Sequence, residues 1–296
     1  MIYERISANK RDSFILAFLF FAIVIALGFF IGELFQSGYA GVIIAVIVSV
    51  AMVSFSYFAG DQAVLALNRA TPASKKDFPQ VVNIVEGLSI AAGLPKPKIY
   101  VIDDKSINAF ATGRDPKHAS IAVTKGAIEK LSREELEGVV GHEMSHIKNY
   151  DIRFMTLIAI LVGIVAMLSD IFLRSLWFSS GSRDRDDSGS QLRLILVLVG
   201  IVLAILAPIA AQLIKFAISR KREYLADADG ALLTRYPKGL ANALRKIAKD
   251  SNEMPDSNPA MEHMYFSNPF KKRNWFNGLF STHPPIEDRI KALEQM

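Results

Sequence analysis

His142-Glu143-Met144-Ser145-His146 sets two imidazoles four residues apart with a carboxylate between them. On a helix, residues at that spacing lie one above the other, about 6 Å apart, so both rings can close on one metal ion. Glu143 does not easily reach the same ion, but it can reach a water bound to it. Two ligands and a general base on one helical turn are the wiring of a zinc peptidase. The helix is announced upstream. Ser132-Arg133-Glu134-Glu135 reads as a capping box, and Leu136, Val139 and Val140 then give a buried stripe in the same register as the motif. The plain alternative is a helix whose two histidines only pack.

Composition narrows the chemistry. The chain of 296 residues contains no cysteine, which excludes a disulfide framework and any thiolate zinc site, so a metal must be held by His and carboxylate groups. Apolar residues make up 51% of the chain and the mean hydropathy is +0.27, as for a protein partly in lipid. The net charge of +5 is modest, and no basic stripe interleaves with stacking aromatics, so no nucleic-acid partner is expected.

Residues 1–59 read as a membrane hairpin. Its spans are about 14–35 and 39–58, joined by Gln36-Ser37-Gly38, and the first is too long for a signal-peptide core. Residues 60–152 read as a water-facing α+β segment. It has a helix from Phe78 to Ala92 stopped by Gly93, strands near 98–102, 108–113 and 120–124, and then the motif helix. Residues 153–216 read as a second hairpin, with spans at about 154–174 and 194–214 around a polar, disorder-prone loop 179–191. Residues 217–296 return to water. Thirty of the 34 Lys and Arg lie in segments 1–13, 59–153 and 215–296, which places those segments and both termini in the cytoplasm. The expected fold class is α+β, mainly helical, with four transmembrane helices and a cytoplasmic zincin-like domain split by the second hairpin.

Two histidines need a third protein ligand. A metzincin would place Gly and His where Asn149 and Ile152 stand, so that class fails. Glu223 and Asp227 are four apart on a later helix. Glu223 can ligate while Asp227 fixes a histidine tautomer, or both can belong to a solvated acidic face.

Asn108-Ala109-Phe110, the His-Glu-x-x-His motif, the apolar hairpin after it, Glu223 with Asp227, and Thr282-His283-Pro284 follow one another in an order that resembles the HtpX family of bacterial membrane zinc endopeptidases. That family is related to the prenyl-protein (CAAX) endopeptidases and to the soluble gluzincins. The resemblance covers nearly the whole chain. It implies one zinc per chain held by His142, His146 and Glu223, with Glu143 as the catalytic base. It also implies cleavage of misfolded membrane proteins at the cytoplasmic face of the bacterial inner membrane, and self-cleavage.

The same resemblance puts Asn108, Ala109 and Phe110 beside the substrate cleft, where an edge strand would bind extended peptide through its backbone. It puts His283 near the active site, as an oxyanion donor or as the cap of its own helix. Arg289 is either simply solvated or engaged, anchoring that helix or pairing with a carboxylate near the site. His118 and His263 read as non-ligands. Residues 270–276 mix basic and aromatic side chains, suited to anionic headgroups or simply to solvent. Loop 179–191 and the stretch 251–282 carry no mapped motif. Expected partners are membrane-protein substrates, the chain itself and the bilayer. The rival readings are a prenyl-protein processing protease, for which four spans are few, and a membrane scaffold or chaperone with a vestigial site.

Overall fold

The computed structural model describes residues 2–34, 39–179, 200, 202, 220–254, 257–269 and 284–296. The expected fourth span, nearly all of loop 179–191, residues 270–276 and His283 lie outside those residues.

The chain opens with two long helices, α1 (Ile2–Leu34) and α2 (Ala40–Leu67), packed against each other. The most apolar 18-residue window of α2 has a mean hydropathy of 2.4, yet only 17% of it is buried. Ile43, Ile44, Ile47, Phe55 and Phe58 all point outward. Water would drive such side chains into a core, so a helix that keeps them outside is matched to hydrocarbon. Among the described residues, α2 is the one helix long and apolar enough to cross a membrane. Leu16 and Phe20 of α1 pack with Phe154, Ile158 and Leu161 of a third long helix, α6 (Asp151–Ser179).

A four-stranded sheet follows, in the order β1-β2-β4-β3. The strands β2 (Lys98–Ile102), β3 (Ala109–Gly113) and β4 (Ala119–Thr124) fall where β-branched and apolar content predicts them. β2 runs parallel to β4, and β3 runs antiparallel to it. The two-residue β1 (Thr71–Pro72) on β2 has no sequence signal of its own. The helix α3 (Pro79–Ala92) ends at Gly93, whose φ of 65° is the left-handed conformation that glycine adopts without strain.

After the short α4 (Lys125–Lys130) comes α5 (Arg133–Lys148), the axis of the domain. The capping box forms: Ser132 Oγ accepts from the Glu135 amide, and Glu135 accepts from the Ser132 amide. Beyond it α5 is buried on nearly every face from Leu136 to Ile147. It packs on α3 and β3 on one side, and on α7 (Arg220–Thr234) and α8 (Pro237–Lys249) on the other. The helix α6 (Asp151–Ser179) starts two residues after Asn149, and α9 (Ile286–Glu294) closes the domain against α7 and α8.

The α5–α7 contact is close because glycine faces backbone. A Cβ on Gly230 would lie 2.8 Å from the His142 nitrogen. Gly230→Ala is therefore expected to cost about 1–3 kcal/mol by overpacking and to push α7 away from the motif. Gly87→Ala on α3, where a methyl meets nothing within 4 Å, should instead stabilise by up to about 1 kcal/mol. Thermal unfolding of the two variants in detergent checks the pair; equal midpoints would contradict the contact.

Candidate metal centre

One turn of α5 directs both motif imidazoles at α7. His142 Nε2 and His146 Nε2 are 3.1 Å apart. The carboxylate of Glu223 is 3.7 Å from the first and 3.6 Å from the second. The first of these contacts is made by Oε2 and the second by Oε1, so the carboxylate faces both ring nitrogens, and one ligand atom from each of the three residues lies within 4.8 Å of the others. His142, His146 and Glu223 are the group of buried side chains that could hold a metal ion.

The outer ring of contacts fixes which nitrogens face the centre. His142 Nδ1 donates to Asp227 Oδ1 at 2.8 Å, and His146 Nδ1 donates to Asp151 Oδ2 at 2.9 Å. An ionised carboxylate only accepts, so each ring carries its proton on Nδ1 and offers a lone pair from Nε2. Two lone pairs and a carboxylate aimed at one point repel one another unless a cation lies between them. The donor set fits a divalent metal.

The charge balance says the same. Arg289 is 1% exposed and forms a two-point contact with Asp227 at 2.7 and 2.8 Å, while Arg222 lies 3.1 Å from Asp151. Arg289 also approaches Glu223 Oε2 at 3.8 Å, so two arginines serve the four buried carboxylates around the imidazoles, and a dication would offset the remaining negative charge. Their protonation reflects this crowding. Burial pushes Glu143 up to about 7, against the opposing pull of His146. Burial lowers His142. Burial opposes protonation of His146 too, but its hydrogen bond to Asp151 and the carboxylates of Asp151, Glu223 and Glu143 raise it to about 9. In Asp227 the neighbouring Arg289 outweighs burial and holds the carboxyl low.

The structure brings His142, His146, Glu223 and Asp227 together. Asp227 serves His142. Asp151, the partner of His146, was visible only as a charge flanking the motif. Asn9 of α1 completes that corner, donating from Nδ2 to Asp151 Oδ1 at 2.6 Å and to the Asn149 carbonyl at 2.7 Å. Hydropathy gives no hint of it. Of the roles open to Arg289, the structure shows carboxylate pairing. Glu143 also accepts from the Ala111 amide, so β3 runs beside the motif.

The strand start is not an open cleft wall. Asn108, Ala109 and Phe110 are all buried. Asn108 Oδ1 accepts from the amides of Ala109 and Ser267, its Nδ2 donates to the Ser267 carbonyl, and the Phe266 amide donates to Ala109 O at 2.8 Å. Residues 265–267 thus occupy the edge that was expected to receive peptide. His263 is buried against the Met155 carbonyl and His118 pairs with Asp115, both away from the centre.

A family model described as peptidase family M48 matches residues 75–296. The chain belongs to peptidase family M48. Among curated proteins it resembles a Protease HtpX homolog of Dictyoglomus thermophilum, 46% identical over 99% of this chain and 94% of that one. Another, from Caldanaerobacter subterraneus subsp. tengcongensis, is 46% identical over 100% and 98%. A third, from Listeria monocytogenes, is 42% identical over the full length of both. The crystal structure of S. mikatae Ste24p shares the fold, with a TM-score of 0.51 at 19% identity over 99% of this chain and 67% of that one. This M48 peptidase is a metalloprotease, and hence a hydrolase.

Metal entry must displace a proton. Below its value of about 9, His146 of the metal-free protein carries a proton on Nε2, and the metal requires that nitrogen bare. Zinc binding near neutral pH should release about one proton, falling towards none above about pH 10. Calorimetry in buffers of different ionisation enthalpy measures this; no release at neutral pH would contradict the assignment.

Proposed function

We propose that the chain is a zinc-dependent membrane endopeptidase. It would hydrolyse peptide bonds of misfolded or damaged membrane proteins at the cytoplasmic face of the bacterial inner membrane. The observation that carries this reading is the convergence of three buried donor atoms from α5 and α7 beside a second carboxylate, Glu143, whose pKa burial raises to about 7.

In this reading His142, His146 and Glu223 hold the ion, which acidifies a water and polarises the scissile carbonyl when bound. Glu143 is the proton carrier. Its value of about 7 lets it take a proton near physiological pH and return one to the leaving amine. The Ala111 amide orients its carboxylate. Asp227 and Asp151 keep both imidazoles in the ligand tautomer, and Arg289 holds Asp227 ionised. β3 is buried throughout, with its Ala111 amide on Glu143 and its Gly113 amide on Thr156, so an extended substrate would pair with it only by displacing residues 265–267. Backbone pairing reads no side chains, which suits a protease acting on damaged proteins of many sequences. His283 keeps its two alternatives, oxyanion donor or helix cap.

Four spans with both termini inside complete the proposal. It is supported by the outward apolar face of α2 and the charge distribution of the sequence. It returns α5 and α7 to one side of the membrane, as a shared site demands. A reporter fused to the C-terminus that reads as external would contradict it.

Glu143→Gln is expected to lower casein cleavage by about 10²–10⁴-fold while zinc content stays at one per chain, because the amide cannot carry the proton. The same variant should accumulate as full-length protein where the parent cuts itself. Loss of zinc along with activity would make Glu143 a ligand and overturn its role as base.

A further inference from the structure

A second site lies at the opposite end of β3 from residues 265–267. Helices α1, α2 and α6 leave between them a cavity of about 370 Å³, within the range of small-molecule sites of about 300–1,000 Å³. Its position along the helices is informative. It takes Lys10 and Phe14 from α1, Phe58 and Asp61 from α2, and Arg153 and Leu157 from α6. These are the points where three apolar runs begin or end. The cavity therefore spans the level at which hydrocarbon would give way to water.

Its polar side is a set of cations held by rings. Arg114 stacks over Tyr57 at 5.7 Å and over Phe58 at 5.4 Å, and Arg153 shares the Tyr57 ring at 5.7 Å. Arg153 and Lys10 share Tyr150, at 5.3 and 4.2 Å. Arg153 also donates to the Arg114 carbonyl at 2.6 Å. Carboxylates do little to offset this charge. The Arg114–Asp115 approach is 3.8 Å, and Asp115 is already engaged by His118 at 2.9 Å. Asp61 lines the cavity and is hydrogen-bonded by Gln62. Three cations beside two carboxylates, one of them already engaged by His118, leave net positive charge, and an anion among them would offset it. Opposite them the walls are apolar: Phe14, Ala17, Val53 and Leu157. An anionic head beside an apolar tail is the shape of a phospholipid.

We propose that this cavity is a binding site for an anionic phospholipid. The phosphate would sit among Lys10, Arg114 and Arg153, and an acyl chain would lie along α1 and α6. This rests on the membrane reading above. The occupant is chosen by charge complementarity and by the height of the site, since a basic pocket between helices at the cytoplasmic boundary suits such headgroups. Arg114 directly follows Gly113, and Thr156 Oγ1 accepts from the Gly113 amide at 3.3 Å. A lipid here would therefore brace that end of β3.

The test uses full-length protein in neutral detergent, titrated with dioleoyl phosphatidylglycerol or dioleoyl phosphatidylcholine and read by native mass spectrometry. One phosphatidylglycerol per chain should be retained in preference to phosphatidylcholine. The double variant Arg114→Gln/Arg153→Gln should weaken that binding about 30-fold, and Lys10→Gln about fivefold, from the surface value of each cation. Lys10 is exposed, so its variant keeps the test open if the double variant fails to fold. An unchanged preference in Lys10→Gln and in a folded double variant overturns the proposal. So does equal competition by glycerol 3-phosphate, which would mark a free-phosphate site, or a peptide found in place of lipid. Zinc content and caseinolysis are read on the same samples. In the parent protein, no preference for phosphatidylglycerol with both intact removes the lipid site alone, and no zinc with the lipid preference present removes the protease reading alone.

Discussion

Two imidazole Nε2 atoms face each other across 3.1 Å, with a carboxylate facing both. Everything around them bears the cost of that arrangement. Asp227 and Asp151 hold the rings in the tautomer that creates it, and Arg289, a fully buried cation, keeps Asp227 charged. The close approach of Gly230 to α5 brings α7 near enough for Glu223 to join. Removing any one of these leaves a buried charge or lone pair without a counterpart, which is among the costliest defects a protein interior can carry. A dication at the centre offsets them together. The fold therefore reads as a scaffold that holds a converged donor set in place, with a proton on His146 that a metal displaces.

What the sequence could reveal follows from the range of each interaction. The motif helix was legible because its signals are local: capping box, apolar stripe and histidine spacing all lie within Ser132–His146. The strands and α3 were legible for the same reason. Glu223 was different. Spacing left it level with a solvated acidic face, and the family resemblance favoured the ligand role. Asp151 and Asn9 were missed as contributors. They are 142 residues apart, and nothing periodic links them. Asn108–Phe110 looked like an open edge because a strand's alternation does not show what pairs with its far side; residues 265–267 do.

Asn9 also changes how the two halves of the molecule relate. It belongs to the first long helix, yet it hydrogen-bonds the carboxylate that orients a metal-facing histidine. Arg222, adjacent to Glu223, meets the same Asp151 carboxylate. The N-terminal helix is thus part of the structure that aims His146, in addition to any role as an anchor. A chain without α1 would lose a contact to its metal centre.

The central claim is that one metal is held by two imidazoles and a carboxylate drawn from α5 and α7. Zinc K-edge X-ray absorption of the detergent-purified protein addresses it directly. The account predicts one zinc per chain, a shell of nitrogen and oxygen at about 2.0–2.1 Å, and imidazole scattering from two rings. A three-imidazole spectrum would place another histidine in the shell in place of Glu223. Zinc-free protein that still hydrolyses peptides would remove the metal from the account.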